Sequence, residues 1–494
     1  MSTWLSMAPL LLLLVSALFI MLVDAFAHEK AELALVTSVA LGTAGLVALG
    51  LLVSGEALPP LPEMFSGYLA VDSVSLFFDF VLCIGGSLSV LLAGGYLREH
   101  GLERGELYVL MVLSTIGAMI LARSTDFLSL FLGLETMSLG VYAMIAFRRT
   151  SARAVEGAMK YFLLGSFAAA ILLFGGGLLY AATGHTDFAG IGQAVIEGGA
   201  DARLVLVGAL MVIVGLVFKV GGVPFHVWTP DAYEGAMTPV TAFMSVAVKA
   251  AAFAVFVRIV VVAFGSEDLT SAASGWPPIL AFLALLSMVY GNVAAVAQKS
   301  VKRMLAYSSI AHAGYLLVGL AAASKVGEQA ISGVLFYLLA YTVSNVLAFG
   351  SLIWIGSKGR EAVDYQDLAG VGRRHPAVVL PFVVGVLSLM GFPPTAGFFG
   401  KYYVFNAAVQ AGGGFVWLAV AGILASAIGA YYYLRVVVVM LMKEPEEGQV
   451  LAVPMKSGYV NAALALSGAA VVIFGLLPGW VLDLAIDAAH KLVS

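Results

Sequence analysis

Fourteen apolar runs dominate this sequence, and each is about 20 residues long, enough for an α-helix to cross a bilayer. Of the 494 residues, 61% are hydrophobic and only 11% are charged, so almost nothing remains for a soluble domain. The sequence therefore predicts a membrane protein with spans near 5–23, 32–54, 73–97, 107–122, 124–147, 154–182, 204–223, 239–264, 276–297, 303–321, 328–356, 376–411, 415–442 and 457–483.

The runs are continuous and rich in Leu, Ala, Val and Gly. A transmembrane β-barrel would instead show short strands that alternate apolar and polar residues. The predicted fold class is therefore all-α, a polytopic membrane helix bundle. The 55 glycines fit this fold, because small residues let helix backbones approach one another within lipid.

Basic residues are unevenly distributed between the two sets of loops. By the positive-inside rule, the richer set faces the cytoplasm, which predicts that both termini lie on the outer side. Loops after odd-numbered spans contain Lys30, Arg98, Arg104, Arg148, Arg149, Arg153, Lys299, Lys302, Arg303, Lys358, Arg360, Arg373, Arg374, Lys443 and Lys456, and the opposite loops contain only Arg123, Arg203, Lys325 and Lys491.

Two spans are interrupted by glycine and proline. Span 7 breaks at 221–224 beside Lys219, and span 12 breaks at 391–394 shortly before Lys401. Interrupted spans in corresponding positions indicate inverted repeats, because an offset of five reverses the second copy across the membrane. We expect one membrane domain, 1–494, made of helices 1–3 (1–100), a first repeat (105–265), a second repeat (275–442) and a C-terminal helix (455–494).

Four charged residues lie deep within predicted spans: Glu135, Lys219, Lys249 and Lys401. A charge at this depth costs about 2.5 to 3.5 kcal/mol, so it persists only if it is paired, hydrated or functional. Helix breaks admit water, and a buried lysine holds its proton less firmly unless a carboxylate lies nearby. A movable Glu135 could thus switch Lys219 between binding and releasing a proton. The alternative is a set of static ion pairs or snorkelling side chains.

Other ionisable residues have two interpretations each. His312, one turn beyond Ser308, suits either a proton relay or a hydrogen-bonded core histidine. Lys160 lies four residues after Glu156 and suits an ion pair near the interface. His226, with Asp231 and Glu234 close by, suits loop bracing or transport.

Four further residues lie near helix ends or just inside a span. Asp72 is expected to cap span 3, whereas Asp79 is a carboxylate that the pattern leaves unexplained. Arg258 and Arg435 are close enough to helix ends to snorkel to the interface.

Several function classes find no support in the pattern. The chain has no metal-binding HExxH, no P-loop and no dinucleotide fingerprint. The single cysteine, Cys83, excludes a four-cysteine iron–sulfur cluster within this chain. A net charge of −4 without a basic cluster argues against nucleic acid as a partner.

Five stretches together resemble the antiporter-like membrane subunits of respiratory complex I, and most closely subunit N of NADH-quinone oxidoreductase. They are LFLGLETMSLGVYAM, AMKYFLLGSFAAAILLFGGGLLYAATG, FKVGGVPFHVWTPDAYEGAMTPVTAFMSVAVKAAAF, VKRMLAYSSIAHAGYLLVGL and GFPPTAGFFGKYYVF. The lysine in VAVKAAAF is typical of subunit N rather than of subunits L and M. Met237 stands where the family commonly has proline.

The resemblance implies a fourteen-helix core with two inverted five-helix repeats, spans 4–8 and 9–13. It implies that Glu135 pairs with Lys219, that Lys249 is the central lysine, that His312 belongs to the hydrophilic axis, and that Lys401 gates proton exit. It also implies a bacterial inner membrane with both termini periplasmic, neighbouring antiporter-like complex I subunits, and an indirectly attached peripheral dehydrogenase arm. Quinone, FMN and iron–sulfur clusters would belong to other subunits, with no cofactor in this chain.

We therefore expect a proton-translocating subunit of NADH:quinone oxidoreductase, driven by quinone reduction elsewhere in the complex. One alternative is a subunit of an Mrp-type cation/proton antiporter, and another is a structural subunit that transports nothing. The spans and lysines fit the first two equally, and the VAVKAAAF stretch favours the oxidoreductase.

Overall fold

The computed structural model describes residues 4–26, 31–55, 59–271, 275–356, 361–445 and 452–493. Within these ranges the regular structure is helical, with three isolated β-bridges between loops. Twelve of the helices in this part of the chain are long and apolar enough to cross a membrane. The chain is a multi-pass membrane protein with the predicted all-α fold.

The helices match the predicted spans closely. They are span 1 (Leu5–Phe26), span 2 (Ala31–Ser54), span 3 (Ser73–Glu99), span 4 (Glu106–Arg123), span 5 (Phe127–Ile145), span 6 (Ala152–Thr183), span 7 (Ala202–Val220, followed by the short helix Thr229–Gly235), span 8 (Thr238–Arg258), span 9 (Pro277–Val296), spans 10 and 11 (Val301–Ile355), span 12 (Pro376–Met390 and Ala396–Ala411), span 13 (Gly414–Met442) and span 14 (Gly458–Leu476, followed by Pro478–Val493).

Spans 10 and 11 are joined without the separate loop expected at 322–327. Helical structure continues from Val301 to Ile355, and only Val326 departs from it, with φ −127° and ψ 40°. The chain reverses there, because His312 on one side hydrogen-bonds Tyr337 on the other. The two predicted spans are therefore confirmed, and a single non-helical residue makes the turn between them.

Span 14 was predicted to reach residue 483, which is wrong. Its helix ends at Leu476, and Pro478 begins a second helix that ends at Val493. Proline has no backbone N–H and favours the first turn of a new helix. The second helix carries Asp483, Asp487 and His490 and is therefore far more polar than a span.

The two repeats, spans 4–8 and 9–13, each have their broken helix in the fourth place. Span 7 ends at Gly221, with φ 75°, and the first half of span 12 ends at Gly391, with φ 87°. Glycine adopts this left-handed conformation without steric cost. A cis X–Pro bond follows each glycine, at Val223–Pro224 and Pro393–Pro394.

Span 8 lies at the centre of the bundle, and all of its residues from Thr238 to Arg258 are buried. Spans 10 and 11 are also almost wholly buried. Span 13 lies at the periphery and exposes apolar side chains such as Trp417 and Leu424. Lysines on spans 8 and 10 are therefore enclosed by protein.

Several basic residues that were assigned to loops lie within helices, among them Arg123, Lys302 and Arg303. Arg123 is the last residue of span 4 and is fully buried, and Lys302 and Arg303 lie in the first turn of span 10. These assignments were wrong because each side chain finds an acidic partner inside the bundle. Lys30, Lys358 and Arg360 lie outside the described residues.

Candidate functional site

Lys219 lies in the last turn of span 7, immediately before the break at Gly221. Its ammonium group donates a hydrogen bond to Ser138 Oγ at 2.8 Å and a longer one to the Tyr142 hydroxyl at 3.4 Å. Its Nζ is 5.4 Å from the centre of the Tyr161 ring, within range of a cation–π interaction. The buried cation is therefore held by neutral groups.

Glu135 lies one turn before Ser138 on span 5. It shares its helix face with the exposed side chains Leu132 and Leu139, and it is partly exposed itself. Among the described ion pairs, none joins Glu135 to Lys219 within 4.0 Å. A direct ion pair is therefore absent from this conformation, in which Ser138 and Tyr142 take the ammonium hydrogen bonds and the Glu135 charge acts on Lys219 from a greater distance.

Lys249 lies in the middle of span 8 and reaches across to span 10. Its Nζ donates to the backbone carbonyl of Ser309 and, at 2.6 Å, to the hydroxyl of the same residue. That hydroxyl is also 2.9 Å from the Tyr341 hydroxyl and 3.3 Å from the Tyr233 hydroxyl. Lys249 thus ends a small network of hydroxyl groups.

His312 has a hydroxyl partner at each ring nitrogen. Its Nδ1 is 2.6 Å from the Tyr337 hydroxyl, and its Nε2 is 3.1 Å from the Tyr433 hydroxyl. Tyr433 also bonds Ser308, the neighbour of Ser309. A neutral imidazole can accept a proton at one nitrogen and release one from the other, so these contacts suit a relay.

Lys401 lies in the second half of span 12 and folds back towards the break. Its Nζ donates to the Met390 carbonyl at 2.9 Å, which the break has left without a helical partner, and to Ser426 Oγ at 2.6 Å. A cavity of about 550 Å³ opens beside it, lined by residues that include Phe392 and Tyr402. The unwound segment thus provides both an acceptor and space for the lysine, as expected for a broken span.

A row of polar aromatic residues joins His312 to Lys401. The rings of Tyr433 and Tyr432 lie 4.5 Å apart. The Tyr432 hydroxyl donates to Asn292 at 3.1 Å, and Asn292 donates to the Tyr315 hydroxyl at 2.8 Å. Lys401 Nζ lies 4.9 Å from the Tyr315 ring. The polar groups between His312 and Lys401 therefore form an almost continuous row.

The predicted Lys160–Glu156 pair is present, at 2.6 Å. Lys160 also binds Asp231 at 2.7 Å, and Asp231 binds Arg303 at 2.8 Å. Burial alone would raise the pKa of Asp231, but these two cations outweigh it and hold that pKa below its usual value. The charges surround a cavity of about 280 Å³ whose lining includes Glu234.

Among the described residues, no hydrogen bond or ion pair joins His226 to Asp231 or Glu234, so any loop bracing by His226 does not involve these carboxylates. The two carboxylates bind Arg303 instead, and Asp231 also binds Lys160. The His226 ring packs 4.6 Å from Tyr290, and burial lowers the pKa of His226. The short helix Thr229–Gly235 places Asp231 and Glu234 beside Arg303 of span 10.

Asp79 is explained by Arg123, which forms an ion pair with it between spans 3 and 4. Both side chains are fully buried. Asp72 caps span 3 as predicted, accepting a hydrogen bond from the Ser75 amide at 2.8 Å. Arg258 does not snorkel, because it binds Asp72 at 2.7 Å.

Lys302 and Glu361 form a buried contact that the sequence does not indicate. Lys302 donates to the Ala236 carbonyl and lies 3.4 Å from Glu361. Glu361 also accepts from the Thr238 amide at 3.0 Å and thereby caps span 8. Burial would raise the pKa of Glu361, but Lys302 and the Thr238 bonds outweigh it and lower that pKa.

The turn before span 8 keeps the shape that proline would impose. Met237, where the family commonly has proline, has φ −59°, which is within the range that a proline ring fixes.

In the part of the chain that the structure describes, no group of three His, Cys, Asp or Glu side chains could hold a metal ion.

Comparisons with known proteins agree with these features. The family described as NADH:quinone oxidoreductase/Mrp antiporter, TM, matches residues 124–442. The chain is 55% identical to NADH-quinone oxidoreductase subunit N 1 of Sorangium cellulosum, over 98% of both chains. It is similar to a chain of respiratory complex I from Thermus thermophilus, with a TM-score of 0.79, 35% identity and coverage of 97% and 99%.

A chain of the Mrp complex from Dietzia sp. DQ12-45-1b has the same fold, with a TM-score of 0.83 at 22% identity and coverage of 100% and 98%. The sequence left two branches open, the oxidoreductase subunits and the Mrp antiporter subunits. The higher identity to subunit N proteins, which extends over nearly the whole length of the chain, favours the first branch. The chain belongs to the subunit N family of NADH-quinone oxidoreductases, within the broader NADH:quinone oxidoreductase/Mrp antiporter family.

Proposed function

We propose that this chain is a proton-translocating membrane subunit of an NADH:quinone oxidoreductase. In this proposal it lies in the bacterial inner membrane beside antiporter-like complex I subunits, and both termini face the periplasm. The peripheral dehydrogenase arm contacts it only indirectly. Electron transfer takes place in other subunits, which hold quinone, FMN and iron–sulfur clusters.

One observation carries the proposal. Lys219, Lys249 and Lys401 are buried, and among the described residues their hydrogen-bond partners are hydroxyl and carbonyl groups rather than carboxylates. A permanent carboxylate partner would hold the proton on the lysine, whereas neutral partners let it leave. Three unpaired cations are an expensive way to stiffen a bundle, so a transport role accounts for them better.

In the proposed path, protons enter from cytoplasmic water at Glu135 and Lys219. They pass to Lys249 and His312 and leave through Lys401. Moving one charge against 100 mV costs about 2.3 kcal/mol, which quinone reduction elsewhere in the complex must supply. Catalytic roles in this chain are therefore limited to proton transfer by Glu135, Lys219, Lys249, His312 and Lys401.

The test is Lys219→Ala in the assembled complex, with Lys443→Ala as the control, because Lys443 is exposed just after span 13. We expect Lys219→Ala to assemble normally and to lose proton pumping and quinone-coupled NADH oxidation, while Lys443→Ala keeps both. Pumping is measured by dye quenching in reconstituted liposomes.

Two other outcomes of Lys219→Ala would contradict the proposal. Loss of sodium or lithium tolerance without loss of NADH-driven pumping would indicate a cation/proton antiporter. Unchanged pumping and unchanged ion tolerance would indicate a structural subunit.

A further inference from the structure

The hydrogen bonds leave a gap between the first two lysines. Lys219 bonds Ser138 and Tyr142 on span 5, whereas Lys249 bonds Ser309 on span 10. In the described ranges, no hydrogen bond joins these two groups. Protons move between groups that share a hydrogen bond or a bridging water, so the proposed path needs a carrier here.

Three aromatic side chains line the route between the two lysines. The Tyr161 ring lies 5.4 Å from Lys219 Nζ and stacks on Trp228 at 4.0 Å, with the ring planes 11° apart. Trp228 lies 6.4 Å from Tyr233, whose hydroxyl is 3.3 Å from Ser309 Oγ. The aromatic row therefore runs from one lysine to the other.

The hydroxyl of Tyr161 differs from the other polar groups of this row. Tyr161 is fully buried, and its hydroxyl has no hydrogen-bond partner among the described residues. The Trp228 N–H, by contrast, donates to the Phe218 carbonyl at 3.1 Å. A buried hydroxyl without a hydrogen-bond partner is unfavourable, and buried water is the usual partner of such a group.

A cavity that can hold water lies one helical turn from Tyr161 along span 6. Lys160, the preceding residue, binds Asp231 at the rim of the charged cavity of about 280 Å³. Gly157, one turn before Tyr161 on span 6, lines the same cavity. This volume holds several molecules, since one water occupies about 30 Å³ in the liquid.

We propose that the Tyr161 hydroxyl positions the water that carries protons from Lys219 to Lys249, an inference that rests on the proposed function. An N–H bond of the Lys219 ammonium breaks as its proton joins this water. The water passes one proton through the Tyr233 and Ser309 hydroxyls, and a new N–H bond forms on neutral Lys249. Each hydroxyl that gives a proton receives one, so Tyr161 is a positioning residue that keeps its own proton.

The test compares Tyr161→Phe with Tyr108→Phe in the assembled complex, reconstituted in liposomes. Tyr108 is also fully buried, and its hydroxyl has no partner among the described residues. It lies in the first turn of span 4, beside Gly94 of span 3, and is not part of the aromatic row between the lysines. Each change removes one unpartnered oxygen and keeps the ring, so neither should reduce stability. The measurements are NADH-driven pumping in H₂O and D₂O, with assembly checked on native gels.

We expect Tyr161→Phe to lower the pumping rate by about tenfold and to raise the H₂O/D₂O rate ratio, because proton transfer becomes slower. Tyr108→Phe should match the unsubstituted complex in both the pumping rate and the H₂O/D₂O rate ratio. If Tyr161→Phe pumps at the rate of the unsubstituted complex while Lys219→Ala does not pump, the role of Tyr161 is refuted and the proposed function stands. If Lys219→Ala also pumps normally, both are refuted.

Discussion

At the scale of single residues, the buried arginines and the lysines of the proposed proton path have different partners, whereas the buried Lys302 at the start of span 10 pairs with Glu361. Arg123 and Arg258 bind carboxylates, whereas Lys219 and Lys401 bind hydroxyl and carbonyl groups. Arginine does not release its proton in proteins, but a buried lysine can. The arginine pairs therefore suit a structural role, and the lysines suit proton transfer.

The Asp79–Arg123 pair leads to a stability prediction. We expect Asp79→Asn to lower the free energy of unfolding by about 3 to 5 kcal/mol, because it leaves the buried guanidinium without a counter-charge. The double change Asp79→Leu with Arg123→Met should recover most of this loss. Glu444→Gln, which breaks the exposed pair with Arg373, is the control and should change stability by less than about 1 kcal/mol.

Unfolding of these variants is followed by thermal denaturation in detergent. If Asp79→Asn lowers stability no more than Glu444→Gln does, the buried pair contributes little and its structural role is refuted.

Asp72 leads to a pH prediction. Burial would raise the pKa of Asp72, but Arg258 and Ser75 outweigh it and bring the pKa from 3.8 to about 2. Folding therefore stabilises the ionised form, and this contribution of roughly 2 kcal/mol is complete above about pH 4 and is lost as pH falls towards 2. Asp72→Asn keeps the cap but removes the charge.

The stability difference between the unsubstituted protein and Asp72→Asn should therefore shrink as the pH is lowered from 6 to 3. Thermal unfolding across this pH series measures it. A difference that stays constant with pH would contradict the Asp72–Arg258 pairing.

At the scale of elements, the broken helices position the lysines. A Cβ atom added at Gly391 would lie 3.0 Å from Lys401 Cδ, whereas one added at Gly184, which ends span 6, would meet nothing within 4 Å. The two glycines have similar φ values, 87° and 78°. An alanine at either position is strained by about 1 to 2 kcal/mol, but only the first displaces the lysine.

We therefore expect Gly391→Ala to reduce NADH-driven proton pumping by about tenfold or more, because small displacements of a reacting group are costly. Gly184→Ala should lower thermal stability about as much as Gly391→Ala does, and the complex that carries it should pump normally. Equal pumping by the two variants would show that the break does not position Lys401.

Span 8 shows how one element depends on a distant one. Its first amide, Thr238, is capped by Glu361, more than 100 residues later in the chain, and Lys302 of span 10 neutralises that carboxylate. An N-terminal cap is usually supplied by the residue just before the helix. Here Met237 offers no side-chain acceptor, so the helix that carries Lys249 is anchored by the loop after span 11.

At the scale of the whole molecule, the distribution of basic residues sets the expected orientation. We expect a cysteine at Gly199, in the loop after span 6, to react with an impermeant maleimide added to spheroplasts of a Cys83→Ala strain. A cysteine at Lys443, after span 13, should react only after permeabilisation. Both positions are exposed, so accessibility reports the side of the membrane. The reverse pattern would place the termini in the cytoplasm.

Much of this architecture followed from local sequence. Runs of about 20 apolar residues leave the helix as the spanning structure, and Gly–Pro interruptions marked the breaks at 221 and 391. The Lys160–Glu156 pair and the Asp72 cap were also predicted, because partners three or four residues apart meet on a helix. The helix end at Leu476 was not predicted, because the start of the second helix depends on the single residue Pro478.

Hydropathy and backbone chemistry act over short distances, so the spans, the breaks and the burial of Lys219, Lys249 and Lys401 could be predicted from the sequence. The groups that surround each charge could not, and the folded bundle supplies them: Ser138 rather than Glu135 at Lys219, Arg123 at Asp79, and Glu361 at the start of span 8. Such partners come from distant parts of the chain, and lipid imposes no pattern on surfaces that face other helices.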